Sequence, residues 1–342
     1  MKIKNNNLMV SVFMITYNHE KYIEKAIKSV LMQKTNFSWE LIIGEDFSTD
    51  GTRGICKKYQ KKYHGKVKLL ESKQNLGAKQ NALRTLRNCS GKYIAYLEGD
   101  DYWTDKKKLQ IQVDFLENNP DYSLCCHRVK ILDMDTKEVY LFSDRNVKGD
   151  STVHDLCNSN FISANSVLFR NYPKVRDLTI NSEIMDWVLW VYIAQYGKIK
   201  YIKKAMAVYR RHKGGIFSSQ DDVTRYKMEI EAAETWRGLI KPGMCDKEYR
   251  EFIGWCNFEI LKIMLNNKAN EEDISGQLKK VGDLIPDNPK LLTSLENTLR
   301  YGSLARKQSF KIRGKNIIKK TIQPLRKARR KKDFKKNEKE HK

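Results

Sequence analysis

The sequence predicts an α/β fold, a mostly parallel sheet flanked by helices and followed by a helical region. Two observations carry this. Short apolar, partly β-branched runs alternate with stretches of helical period through the first hundred residues, the pattern of strands joined by crossover helices. Each run also ends in a polar segment, and in such sheets ligands bind beyond the carboxyl ends of the strands.

The elements follow in order. Residues 10–15 read as a buried strand ending in Thr16-Tyr17-Asn18, and residues 20–32 then keep a helical period through Ile23, Ala26, Ile27, Val30 and Leu31. Residues 39–44 are a second buried strand, closing in Glu45-Asp46 and followed by a helix over 55–63. A third strand over 67–70 leads through Asn75-Leu76-Gly77 to a helix over 79–88, and a fourth over 93–97 delivers Glu98-Gly99-Asp100-Asp101 to the sheet rim. Carboxylates so close repel one another unless a cation sits among them, and hard oxygen ligands suit Mg²⁺ or Mn²⁺. The same string is also ordinary turn chemistry, with Asp as the cap of a helix starting near Asp105. Neither G-x-G-x-x-G nor G-x-x-x-x-G-K-[ST] is present, which argues against a dinucleotide-dependent oxidoreductase and a P-loop enzyme.

Downstream, a helix over 112–118 ends at Asn119-Pro120, residues 122–132 read as a strand paired in a hairpin with 138–142, and 161–170 reads as a further strand. A helix begins within 183–190, and a strand over 200–209 precedes Arg210-Arg211-His212. Residues 223–239, 247–265, 273–284 and 289–299 look helical, broken at Lys241-Pro242-Gly243 and at residues 285–289.

In order, Ile15-Thr16-Tyr17-Asn18, Ser29-Val30-Leu31-Met32-Gln33, Glu45-Asp46-x-Ser48-x-Asp50-Gly51-Thr52, Asn75-x-Gly77 and Leu97-Glu98-Gly99-Asp100-Asp101 resemble the signature of family 2 glycosyltransferases over about the first 215 residues. The resemblance implies a GT-A fold, a nucleotide-sugar donor with a UDP-sugar as the first expectation, a divalent metal and transfer with inversion. It implies donor-nucleotide contacts from Thr16, Tyr17, Asn18, Glu45, Asp46, Asn75, Gly77 and Asp100, and metal contacts from Asp100, Asp101 and His212. Glu45 stands where the family more often has Asp, which leaves Asp46 to address the base. Residues 161–170 resemble the small-residue strand beneath the family's sugar pocket, and Asp186, before Trp187, resembles the second acid of its Glu-Asp motif. Asp186 is therefore the expected general base, because an attacking hydroxyl must lose its proton; an aspartate that merely favours a helix N-terminus is the blander alternative. Met185 replaces the first acid, whose role is lost or falls to Glu183. Trp103 and Trp187 are either sugar-stacking rings or core.

The expected domains are a catalytic domain over 1–215, a helical appendage over 216–302 and a basic tail over 303–342. The tail holds 17 Lys and Arg against 3 acids, +14 of the chain's formal +24. Within it Phe310, Ile317, Ile318, Ile322 and Leu325 are spaced for one helical face, which suits an anionic membrane surface better than a specific nucleic acid. An 18-residue apolar run and a signal-peptide pattern are both missing, so the expected place is the cytoplasm, peripheral on the inner membrane face. Seven Cys without C-x-x-C spacing read as reduced core thiols. The expected acceptor is a glycan or lipid-linked hydroxyl in cell-surface polysaccharide synthesis. The alternatives are a soluble transferase acting on a protein or small molecule and a non-catalytic basic protein binding RNA or membrane.

Overall fold

The computed structural model describes residues 8–142, 147–215, 217, 219–267 and 269–284. The helix expected over 289–299 and the tail over 303–342 lie outside them. Chain contacts divide the protein into two compact units, residues 1–219 with 234–242 and residues 220–233 with 243–342.

The first unit opens with β1 (Leu8–Thr16), α1 (Glu20–Leu31), β2 (Ser38–Glu45), α2 (Thr52–Lys62), β3 (Val67–Glu71), α3 (Ala78–Arg87) and β4 (Tyr93–Glu98). There follow β5 (Tyr102–Trp103), α4 (Lys108–Asn118), β6 (Tyr122–Asp133), β7 (Val139–Leu141), β8 (Asp150–Ser151), α5 (Val153–Asn158), β9 (Leu168–Arg170), α6 (Met185–Ala194) and β10 (Lys198–Arg211). One sheet runs β3-β2-β1-β4-β9-β6-β10-β5, with β7 on β6 and β8 on β10. The first four strands pair in parallel; β9 is antiparallel to both β4 and β6, β10 runs parallel to β6, and β5 antiparallel to β10. The sheet is thus mixed but mostly parallel, a GT-A arrangement.

Apolar strand faces exclude water against helices of matching period. Val10, Val12, Met14, Leu41, Ile43, Ala95 and Leu97 pack with Ile23, Ala26, Ile27 and Val30 of α1 in one core cluster, all fully buried. Asp50 joins two helices to this layer, its Oδ2 accepting the Glu20 N–H at the start of α1 and its Oδ1 the Thr52 N–H at the start of α2, both at 3.0 Å.

Two expected elements differ. Residues 161–170 are not one strand: only Leu168–Arg170 is, after a 3₁₀ turn over Ala164–Ser166. The Ser166 hydroxyl bonds the Ser163 carbonyl at 2.6 Å, so short polar side chains take over backbone groups that a ladder would use. The helix expected from Glu183 starts at Met185, and Glu183 stays outside it. Trp103 and Trp187 are core residues, each 1% exposed, with indole N–H groups bonded to the carbonyls of Asn165 and Leu156; they are not sugar platforms.

The second unit holds the first turns of α7 (Asp222–Leu239), then α8 (Asp246–Asn266) and α9 (Glu271–Leu284). Phe252, Ile253, Cys256, Leu261 and Leu265 form the buried face of α8, and Gln277 of α9 donates to the Asn257 carbonyl at 2.8 Å. Among the described residues no helix is long and apolar enough to cross a membrane. All seven cysteines are buried, and none is in a disulfide.

Candidate active site

Strand register places the site. Thr16 pairs with Glu45 and Ile15 with Glu98, so the ends of β1, β2 and β4 meet at one sheet edge. Gly99 must be glycine there, because a Cβ would come within 2.7 Å of the Thr16 hydroxyl and 3.0 Å of the Ile15 carbonyl.

On the β1–β2 side, Asp46 donates its N–H to the Thr16 carbonyl at 3.1 Å and accepts the Leu76 N–H on Oδ1 at 2.9 Å. Asn75 and Gly77 shape that turn, the Asn75 side chain accepting the Gly77 N–H at 2.8 Å while Gly77 takes φ +81°. The turn presents the Leu76 N–H to Asp46. Asn18, at φ +53°, receives the Thr49 N–H on Oδ1 at 2.8 Å and gives its own N–H to Ser48 Oγ at 3.0 Å, stitching the two loops together. Glu45 is fully buried, paired with Arg53 and accepting the Ser48 N–H at 2.6 Å, so it braces the loop from below. Arg53 in turn holds the Ser72 carbonyl at 2.8 Å. The Thr16 hydroxyl is buried without a partner. Tyr17 and Phe47 stand out from these loops, 40% and 43% exposed.

The β4 side carries the acids. Asp100 Oδ2 lies 3.1 Å from His212 Nε2 and 3.8 Å from His19 Nε2, while its Oδ1 is buried and unpaired. Asp101 is 1% exposed and takes two donors, the Asn165 amide on Oδ2 at 2.7 Å and the Arg210 N–H on Oδ1 at 2.8 Å. The Arg210 guanidinium bonds the Asp100 carbonyl and lies over the Tyr102 and Tyr22 rings, and Tyr22 stacks on His212. Burial and the charges of Asp100, Asp101 and Asp186 push Glu98 well above the carboxylate range. Burial and Asp100 likewise push Asp101 up. Burial raises Asp100 too, but the His212 bond and the two imidazoles outweigh it and hold that carboxyl below its ordinary value.

Asp186 sits in the first turn of α6, half-buried. Burial pushes its carboxyl up to about 6, against the N–H groups of Trp187 and Asp186 and the nearby Trp190 indole, which itself makes no hydrogen bond. Glu183 is exposed and 3.9 Å from Lys79, with no tie to Asp186.

The sequence-expected residues therefore fall into two connected groups, Thr16 to Asn18 with Glu45, Asp46, Asn75 and Gly77, and Asp100 with Asp101 and His212. Asp186 stands apart from both on α6. Sequence reasoning had assigned no role to His19, Glu98, Arg53 or Asn165. Glu98 stood in the acidic string itself, whereas the partners of Arg53 and Asn165 are 8 and 64 positions away and carried no local signal.

The residues fit a divalent cation. Asp100 offers an orphaned buried oxygen, Asp101 keeps a second lone pair on each oxygen, and crowding by Glu98 raises the need for positive charge.

The fold is of the GT-A type. Residues 11–168 match the profile of glycosyl transferase family 2. It is 34% identical over 114 residues, 33% of this chain and 43% of the other, to the UDP-Glc:α-D-GlcNAc-diphosphoundecaprenol β-1,3-glucosyltransferase WfgD of Escherichia coli. Mycobacterial relatives are 37% identical over 210 residues, and the match spans 61% of their length. Among solved structures, S. aureus TarS in complex with UDP-GlcNAc superposes with TM-score 0.62 at 19% identity, covering 85% of each chain. The mannosyltransferase PcManGT of Pyrobaculum calidifontis, in complex with GDP-Man and Mn²⁺, superposes with TM-score 0.55 at 16% identity, covering 95% of this chain and 84% of that one. At these identities the superpositions establish the fold.

Proposed function

We propose that this chain is an inverting, metal-dependent glycosyltransferase that moves a sugar from a nucleotide-sugar donor to a hydroxyl of a glycan or lipid-linked acceptor in cell-surface polysaccharide synthesis. The observation that carries it is the geometry of Asp100 at the sheet edge: its Oδ2 lies 3.1 Å from His212 Nε2 and 3.8 Å from His19 Nε2 while its Oδ1 is buried and unpaired, and Asp101 beside it is fixed by Asn165 and Arg210. The lowered carboxyl of Asp100 suits charge binding, and the raised carboxyl of Asp186 suits proton transfer.

Donor binding follows from the two residue groups. Asp46 and the Thr16 to Asn18 loop take the nucleoside, and the diphosphate lies toward Asp100, Asp101, Arg210 and His212. Bound by Asp100, Asp101 and His212, a Mg²⁺ or Mn²⁺ ion would neutralise charge on the leaving diphosphate. The acceptor oxygen forms the new bond to the anomeric carbon, the carbon–oxygen bond to the diphosphate breaks with its electron pair, and the hydroxyl proton passes to Asp186. Arg210, fixed by its N–H on Asp101, stays in place as that charge develops. The Escherichia coli relative WfgD, a UDP-Glc:α-D-GlcNAc-diphosphoundecaprenol β-1,3-glucosyltransferase, supports the donor and acceptor classes. The basic tail supports the membrane face as the place of action.

The test separates the two carboxylates. Asp100→Ala abolishes Mn²⁺-dependent binding of UDP measured by calorimetry, whereas Asp186→Asn leaves it intact and lowers transfer by about 10²-fold or more, the scale of general-base loss. Unchanged metal-dependent binding in Asp100→Ala, or near-native transfer by Asp186→Asn, overturns the respective assignment.

A further inference from the structure

Phe47 sits in the left-handed region at φ +60°, with its side chain 43% exposed. A bulky aromatic residue rarely takes this conformation, and glycine would take it without steric conflict. The surrounding bonds impose the conformation: Asp46 is tied through its N–H to Thr16 and through Oδ1 to the Leu76 N–H, and Ser48 through its N–H to Glu45 and through its Oγ to the Asn18 N–H. Position 47 is thus fixed from both sides in a shape that suits glycine, yet it carries a large apolar ring in solvent. Strained residues of this kind concentrate at ligand sites.

The surroundings say what kind of ligand. Phe47 follows Asp46 directly, at the sheet edge where Thr16 and Glu45 are paired. The Arg53 guanidinium lies over the ring at 5.2 Å from its centroid and is itself held by Glu45 and the Ser72 carbonyl. The ring is therefore backed by a fixed group and open elsewhere, the form of a stacking platform. Planar heteroaromatic bases are the partners such a platform serves.

We propose that Phe47 forms the stacking wall of the nucleobase subsite, its ring lying against the base plane while Asp46 addresses the base edge. This rests on the donor reading above. Stacking tolerates any base, so Phe47 supplies affinity, and selection among bases belongs to the edge contacts.

The test uses the full chain with Mn²⁺ and two probes, UDP and inorganic pyrophosphate, of which only UDP has a base. Phe47→Gly retains the thermal unfolding temperature of the native chain, since glycine suits the imposed φ. It binds UDP roughly 5- to 150-fold more weakly, the range of one lost stack, and pyrophosphate as before. Phe47→Leu, apolar but not planar, loses UDP affinity likewise, and Phe47→Tyr keeps it. Native UDP affinity in Phe47→Gly or Phe47→Leu overturns the proposal, as does an equal loss for pyrophosphate, which would mean that the loop alone had changed. If the native chain binds pyrophosphate and UDP equally, the nucleobase subsite does not exist; if it binds neither, the donor reading itself falls.

Discussion

Asp186 costs the folded protein stability for as long as it is ionised. Its carboxyl is raised to about 6 by burial, above the unfolded value near 3.9. Between those values the folded chain binds the extra proton, so stability falls as pH rises through the window and the deficit is complete above about 6. Asp186→Asn should therefore raise the unfolding temperature at pH 7 by a few degrees, on the order of 1 kcal/mol after allowing for its partial exposure. The difference from the native chain should shrink as pH drops from 7 to 5, read by calorimetric scans. Catalysis moves the opposite way: transfer by the native enzyme should decline below pH 6 as the base is protonated. A pH-independent stability difference would remove the ionisation argument. A residue that weakens the fold while it is in the active form is better explained by function than by a helix-dipole preference alone. The sequence showed this aspartate only by its position before Trp187; the burial that raises its carboxyl arises only in the folded chain and leaves no local signal.

The sheet edge and its acidic string were readable because strands of buried type end where the ligand must sit, and this depends only on local pattern. The helix over 108–118 was read from 112 onward for an instructive reason. Lys108 and Gln112 lie on its inner face and are fully buried, so a rule that places polar residues outside misses the first turn. Burial pulls the Lys108 amine down to about 7; it donates to Gln112 Oε1 at 2.7 Å and lies over the Trp103 ring. Gln112 in turn donates to the carbonyls of Cys125 and Ser166 at 3.1 and 2.9 Å, tying α4 to β6 and to the turn whose Asn165 holds Asp101. Gln112→Leu strands two carbonyls and the amine in the core, and should cost roughly 3 kcal/mol in urea denaturation, since each orphaned buried group carries a penalty of about 1–3 kcal/mol. A loss below about 1 kcal/mol would show that water or neighbouring groups replace the amide.

For the chain as a whole, the distribution of charge is more telling than its total. Cutting after Ser303 lowers the formal charge from +24 to +10, because the 39 residues removed carry +14, and it leaves every residue of the catalytic site in place. Each basic residue near an anionic surface contributes about 1 kcal/mol, so several acting together exceed what the remaining, dispersed charge supplies. The truncated chain should keep Mn²⁺-dependent UDP binding and lose most of its sedimentation with vesicles containing anionic lipid. The full chain should lose it as well at 1 M salt, where the screening length falls from about 8 Å to about 3 Å. Neutral vesicles should bind weakly in both cases. Equal sedimentation of truncated and full chains would move membrane contact elsewhere or exclude it, and RNA that displaces the full chain from vesicles at low concentration would instead favour a nucleic-acid partner for the tail.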